Sequence, residues 1–74
     1  MDKRLIAELG RLHRILEAAE RASGELELYI NVLGRSDHTH QLQVRLTQAA
    51  GCAREEMAHL YRRALGPALV GRTA

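Results

Sequence analysis

The chain has 74 residues, a net charge of +2 and 46% hydrophobic residues, with two Tyr and neither Phe nor Trp. This length allows one small domain with a thin aliphatic core, and the interleaved charges exclude a basic block of the kind that binds nucleic acids. The single cysteine excludes an intramolecular disulfide, and no apolar run approaches the ~20 residues that span a bilayer. We therefore expect a soluble, cytoplasmic protein with no cofactor and no membrane partner.

The first predicted element is a helix over about residues 3–33. Its apolar residues recur at alternating steps of four and three, which keeps them on one face of a helix. Only Ser23 interrupts this seam with a polar side chain. The seam consists of Leu5, Leu9, Leu12, Leu16, Ala19, Ser23, Leu26, Ile30 and Leu33.

A turn at 34–37 and a second helix over about 38–65 follow. Gly34 suits the left-handed position just after a helix end, and Ser36, Asp37 and Thr39 are competing N-caps. Gly66-Pro67 predicts the end of the second helix and a loose tail over 66–74. The second helix has an apolar stripe of its own, made of Leu42, Leu46, Ala49, Ala53, Met57, Leu60 and Ala64.

These elements predict an all-α fold, an antiparallel two-helix hairpin that forms a single domain over 1–74. In such a hairpin residue i lies beside roughly residue 71 minus i, so small side chains on both helices meet at mid-height. The helices either approach closely there or leave a shallow saddle. Two helices share only one contact surface, so we expect dimerisation or a protein partner to complete a bundle.

A β-hairpin over about 25–47 is the alternative, because Leu26, Leu28, Ile30 and Val32 alternate with other residues, as in a strand. Few of the residues in this stretch are β-branched, however, and Leu42 begins a helical stripe. These two observations favour the helical interpretation.

The end of the first helix is apolar on almost all sides, and a second helix can cover only one of them. The remainder predicts a surface that binds a partner, unless these residues fold over one another near the turn. The candidate residues for partner binding are Leu26, Leu28, Tyr29, Val32, Leu33, Val44, Leu60 and Tyr61.

Catalytic chemistry has little support, and we do not expect an enzyme. Glu56 and His59 have the Glu-x-x-His spacing of di-iron bundles, but His59 turns away from the apolar stripe. His38 and His40 offer two imidazoles in a polar turn, and Cys52 is expected to be a small packing residue.

A self-assembling four-helix bundle that regulates by binding RNA is a second alternative. Arg4, Arg11 and Arg14 share one side of the first helix. Acidic residues lie among the arginines, and the chain has no aromatic platform for bases. Nucleic acid is therefore a disfavoured partner, and a di-iron protein is more disfavoured still.

The layout resembles the small E-type co-chaperones of type III secretion needle subunits, the YscE, SsaE and EscE family. The similarity rests on the Leu-rich first helix, the polar turn at 34–38 and a second helix rich in Gln and Ala. It is most specific in Met57-Ala-His-Leu-Tyr-Arg-Arg-Ala-Leu-Gly-Pro-Ala-Leu-Val70, which looks like the SsaE branch. The resemblance implies a cytoplasmic virulence adaptor that pairs with a tetratricopeptide-like G-type co-chaperone and, through it, keeps the needle subunit monomeric. It also implies no cofactor.

Overall fold

Two long helices joined by three residues make up the chain in a computed structural model that describes residues 3–73, with side chains as far as Leu65. Helix α1 spans Lys3–Leu33 and helix α2 spans Asp37–Thr73. They pack against each other as a helical hairpin that measures 53 × 26 × 14 Å. The all-α hairpin is therefore confirmed. The β-hairpin alternative is wrong, because residues 25–33 and 37–47 are helical.

The turn between the helices is built from one glycine and one reciprocal cap. Gly34 has φ 89°, and its N–H donates to the carbonyl of Ile30 at 2.8 Å, which closes the end of α1. The Ser36 N–H donates to Oγ1 of Thr39 at 2.8 Å, and the Thr39 N–H donates to Oγ of Ser36 at 3.2 Å. Ser36 is thus the N-cap of α2, and Asp37 adds a favourable negative charge to its first turn.

Helix α2 continues past its predicted end. Its backbone is helical through Gly66 and Pro67 to Thr73, so the structure corrects the expected end at Leu65 and the loose tail over 66–74. Ala74 lies outside the described residues. Gly66 and Pro67 are the two weakest helix formers, and the helical backbone of α2 nevertheless continues through both of them.

The seam of α1 faces α2 as predicted, from Leu5 as far as Ile30. Leu33 is the exception, because it is exposed at the last position of the helix. The most buried side chains of the hairpin are Leu9, Ala19, Leu26, Ala50, Ala53 and Leu60.

Near the turn, the residues of α2 that face α1 differ from the predicted stripe by one position. Gln43 and Ala50 face α1 there, where Leu42 and Ala49 were predicted. Ala64 continues the seam four residues after Leu60 but is exposed, because it lies near the beginning of α1, where little of that helix can cover it. Leu42 and Ala49 are exposed nearer the turn, so the assignment of all three to the inner face is corrected. The physical reason is the short connection: the cap at Ser36 fixes the rotation of α2 and turns Thr39 toward α1. The positions that face α1 again follow steps of four and three: Thr39, Gln43, Leu46, Ala50, Ala53, Met57 and Leu60.

The core that results is thin. Three of the six most buried residues are alanines, and no side chain among the described residues is fully buried. Burial of Ala19, Ala50 and Ala53 shows that the helices approach closely at mid-height, as the small side chains predicted. Cys52 is exposed and is therefore not the packing residue that we expected.

Candidate partner-binding surface

The hairpin has two broad sides, one on each side of the helix seam, and residues seven apart on one helix lie on the same side. Tyr29 of α1 and Leu42 of α2 mark the first side, because they line one groove of about 400 Å³ near the turn. Leu26, Ser36, His38 and Thr39 complete that groove. The residue numbers of Tyr29 and Leu42 add up to 71, so the predicted pairing rule holds here.

The side that carries Tyr29 and Leu42 is apolar in the half nearer the turn, whereas Glu8 and Glu56 share the same side farther from the turn. Ile15 and Ala22 lie fourteen and seven residues before Tyr29, and Ala49 lies seven residues after Leu42, so all of them share this side. Apart from the half-buried Ala22, these residues are exposed. Ala18, three residues after Ile15, lies beside it and is also exposed. We call this surface the apolar flank, and it consists of Ile15, Ala18, Ala22, Tyr29, Leu42 and Ala49.

The opposite side is charged. Nη2 of Arg54 lies 3.7 Å from Oε2 of Glu20, which forms an ion pair between the two helices. Glu27 and Thr47 line the same shallow depression as this pair. We call this side the polar flank, and its defining residues are Glu20, Glu27, Thr47 and Arg54.

The last turns of α1 add a second apolar surface beside the apolar flank. At ~100° per residue, Leu33, Tyr29, Val32 and Leu28 follow one another around the helix, from the seam to its outer side. All four side chains are exposed, and Val32 is 80% exposed. This turn-end cluster of Leu28, Tyr29, Val32 and Leu33 is the apolar excess that the sequence predicted, and it does not fold back over the turn.

The structure does not bring all eight predicted partner-binding residues together. Leu26 and Leu60 are buried between the helices, so they belong to the core and their assignment to an exposed surface is corrected. Their seam spacing of four and three was the signal for this, because seam residues face the other helix.

Val44 and Tyr61 are exposed but lie away from the turn-end cluster. Val44 shares a groove with His40, Gln43 and Thr47, toward the polar flank. Tyr61 lies seven residues after Arg54, also on the polar flank. The sequence reasoning also missed Ile15 and Leu42. For Ile15 the missed signal was the spacing of seven to Ala22 and Tyr29.

The polar groups of the hairpin form few interactions. Arg11 pairs with Glu8 at 3.5 Å, and Nε2 of His13 lies 2.9 Å from Oε1 of Glu17. Glu56, His59 and both histidines of the turn region are exposed. Within the described residues, no three His, Cys, Asp or Glu side chains are grouped so that they could hold a metal ion.

In the part of the chain that the structure describes, neither helix has a stretch that is both long and apolar enough to cross a membrane. Comparison of the chain with protein-family models, with curated proteins and with solved structures found no match.

Proposed function

We propose that this chain is a cytoplasmic adaptor that binds another protein through the turn-end cluster. In its specific form, the proposal is the one that the sequence resemblance implies. The chain would be a co-chaperone of a type III secretion system that stabilises a tetratricopeptide-like co-chaperone, which in turn keeps the needle subunit monomeric.

The exposure of the turn-end cluster is the observation that carries this proposal. Four adjacent apolar side chains without cover are unusual on a small protein that works alone, and such patches mark interaction sites. The cluster lies on one rigid helix that ends at a capped turn, so a partner meets it preformed. A helix with an apolar arc is also the kind of element that a helical groove binds.

Co-expression with the products of adjoining genes, followed by affinity purification, tests the proposal. We expect the chain to co-purify with a tetratricopeptide-like protein and to raise the soluble yield of that protein. Substitution Val32→Asp should abolish the complex, because it places a charge at the centre of the buried surface.

Val44→Asp is the matched control, since it makes the same substitution at an exposed valine toward the polar flank. It should leave the complex intact. Circular dichroism of both variants should show an unchanged helix content. A complex that survives Val32→Asp, or no complex with any neighbouring product, would refute the proposal.

A further inference from the structure

We propose that the protein surface that covers the turn-end cluster is apolar and carries a Lys or Arg side chain that pairs with Glu25. This inference rests on the proposed function, because it names the chemistry of the partner that binds the cluster. Two separate features of α1 support it: the position of Glu25 and the charge of the helix end.

Glu25 lies on the same arc of α1 as the turn-end cluster, one turn closer to the start of the helix. It precedes Leu28 by three residues, Tyr29 by four and Val32 by seven, so these side chains share its side of the helix. At ~100° per residue, its position falls between those of Tyr29 and Val32 around the helix. Glu25 is exposed, and no ion pair joins it to another described residue. A partner that covers the cluster therefore also covers this carboxylate.

The covered carboxylate needs a positive charge, because removing it from water is costly without one. Arg21 precedes Glu25 by four residues, and this order of charges along a helix is less favourable than the reverse. No ion pair joins these two residues in the described hairpin. Arg35 lines two grooves with Gln43, toward the polar flank. Neither arginine is placed to pair with Glu25, so the partner supplies the cation.

The end of α1 adds a second source of negative charge. The C-terminus of a helix carries about half a negative elementary charge, which favours Lys or Arg in the last turn. The last turn of α1, all of which the structure describes, contains no basic residue. Among its last four carbonyls, only that of Ile30 receives a backbone N–H from a described residue, Gly34. Both edges of the cluster, at Glu25 and at the helix end, therefore favour a positive charge on the partner.

These features together select one class of partner. The four exposed side chains of the turn-end cluster need an apolar cover, and the negative charges at its edges need a basic one. Anionic membranes and nucleic acids carry charge of the same sign as the edges of the cluster, so they do not fit this surface. A basic, apolar protein surface satisfies both requirements.

Selection from a displayed library of helical peptides, randomised on one face, tests this chemistry directly. The immobilised chain selects peptides, and those that also bind the Leu28→Ser, Val32→Ser double variant are discarded. We expect Lys or Arg to be enriched beside apolar residues, and Asp or Glu to replace it when the Glu25→Lys variant selects. Glu27→Lys is the matched control, because Glu27 is exposed on the polar flank, two residues away. It should select the same basic peptides as the wild-type chain.

Affinities of one selected peptide give the size of the effect. Glu25→Gln should weaken binding by about threefold to tenfold and Glu25→Lys by about tenfold or more, and both losses should decline with added salt. Arg21→Gln should not weaken binding. A loss at Arg21→Gln equal to that at Glu25→Gln would show that Arg21 supplies the cation, and it would overturn the proposal. No enrichment of basic residues, or the same peptides selected by Glu25→Lys and Glu27→Lys, would overturn it as well.

The natural complex separates this inference from the adaptor function. If Val32→Asp abolishes the complex from co-expression and Glu25→Lys leaves it intact, the adaptor function holds and the basic partner is refuted. If both substitutions abolish the complex while Glu27→Lys preserves it, both proposals are supported. If no natural complex forms, the adaptor function is refuted, and the peptide selection alone decides the chemistry of the cluster.

Discussion

Nη2 of Arg54 lies 3.7 Å from Oε2 of Glu20 and joins α2 to α1 across the polar flank. On the other side of the same seam, Tyr29 and Leu42 line one open groove near the turn. The hairpin therefore has one side adapted to water and one side without cover. The open side includes Tyr29 of the turn-end cluster, through which we propose that a partner binds.

The Glu20–Arg54 ion pair should contribute little to stability despite its position between the helices. Both side chains are more than half exposed, and solvent-exposed pairs are worth about 0.2–1 kcal/mol. In a double-mutant cycle with Glu20→Ala and Arg54→Ala, we expect a coupling of about 0.5 kcal/mol or less that declines with added salt. Chemical denaturation measures it, and a coupling of about 2 kcal/mol would show that the flank is buried in the working protein.

Substituting alanine for Gly34 and for Gly24 should change the stability of the hairpin in opposite directions. Gly34 has φ 89°, where a Cβ clashes with the backbone, so Gly34→Ala should cost about 1–2 kcal/mol. Gly24 is helical and a Cβ there would meet nothing within 4 Å, so Gly24→Ala should add about 0.5–1 kcal/mol. Thermal unfolding followed by circular dichroism distinguishes the two. Equal effects of the same sign would contradict the described turn.

Ser36 and Thr39 should act as one unit. Each accepts the backbone N–H of the other, so Ser36→Ala should cost about 1 kcal/mol of the free energy of unfolding. Adding Thr39→Ala should change stability by less than the sum of the single effects, because residues of one network are not additive. Thr47→Ala, at an exposed helical position on the polar flank, is the control and should have an effect within about 0.5 kcal/mol. Strict additivity at Ser36 and Thr39 would argue against the reciprocal cap.

Alanine substitutions at Leu26 and Leu28 should differ in their effect on the free energy of unfolding. The sequence pattern placed both residues in the binding surface, but only Leu28 is exposed. Leu26 is buried between the helices, and Leu26→Ala should destabilise the hairpin by about 2–4 kcal/mol. Leu28 is exposed, and Leu28→Ala should change the free energy of unfolding by less than about 0.5 kcal/mol. Denaturant titration of the two variants gives both values. Similar losses would mean that Leu28 is also covered in the purified chain.

The sequence predicted α1 well because its seam is long and regular. Steps of four and three from Leu5 to Ile30 define one face without competition, and Gly34 marks the end of the helix. The inner face of α2 was harder to predict, because its sequence contains two possible stripes that lie one position apart. One stripe passes through Leu42 and the other through Thr39. The choice between them depends on the cap at Ser36, which is a three-dimensional interaction rather than a periodicity.

The candidate surface was predicted only in part for the same reason. The apolar excess around Val32 is visible in the sequence, because a helix that is apolar on all sides exceeds what one neighbour can cover. Which flank receives Val44 or Leu42 depends on the rotation of α2. The asymmetry between the flanks therefore became evident only once both helices were placed.

The two tyrosines report directly on that asymmetry. They are the only aromatic residues of the chain, with Tyr29 on the apolar flank and Tyr61 toward the polar flank, and both are exposed in the single hairpin. Hydroxyl-radical footprinting with mass spectrometry measures the oxidation rate of each one in the assembled protein, with a second copy or with a heterologous partner. If the turn-end cluster is the binding surface, Tyr29 will be protected while Tyr61 is oxidised at the rate found for the dissociated chain. Equal oxidation of both tyrosines, or protection of Tyr61 alone, would contradict the account.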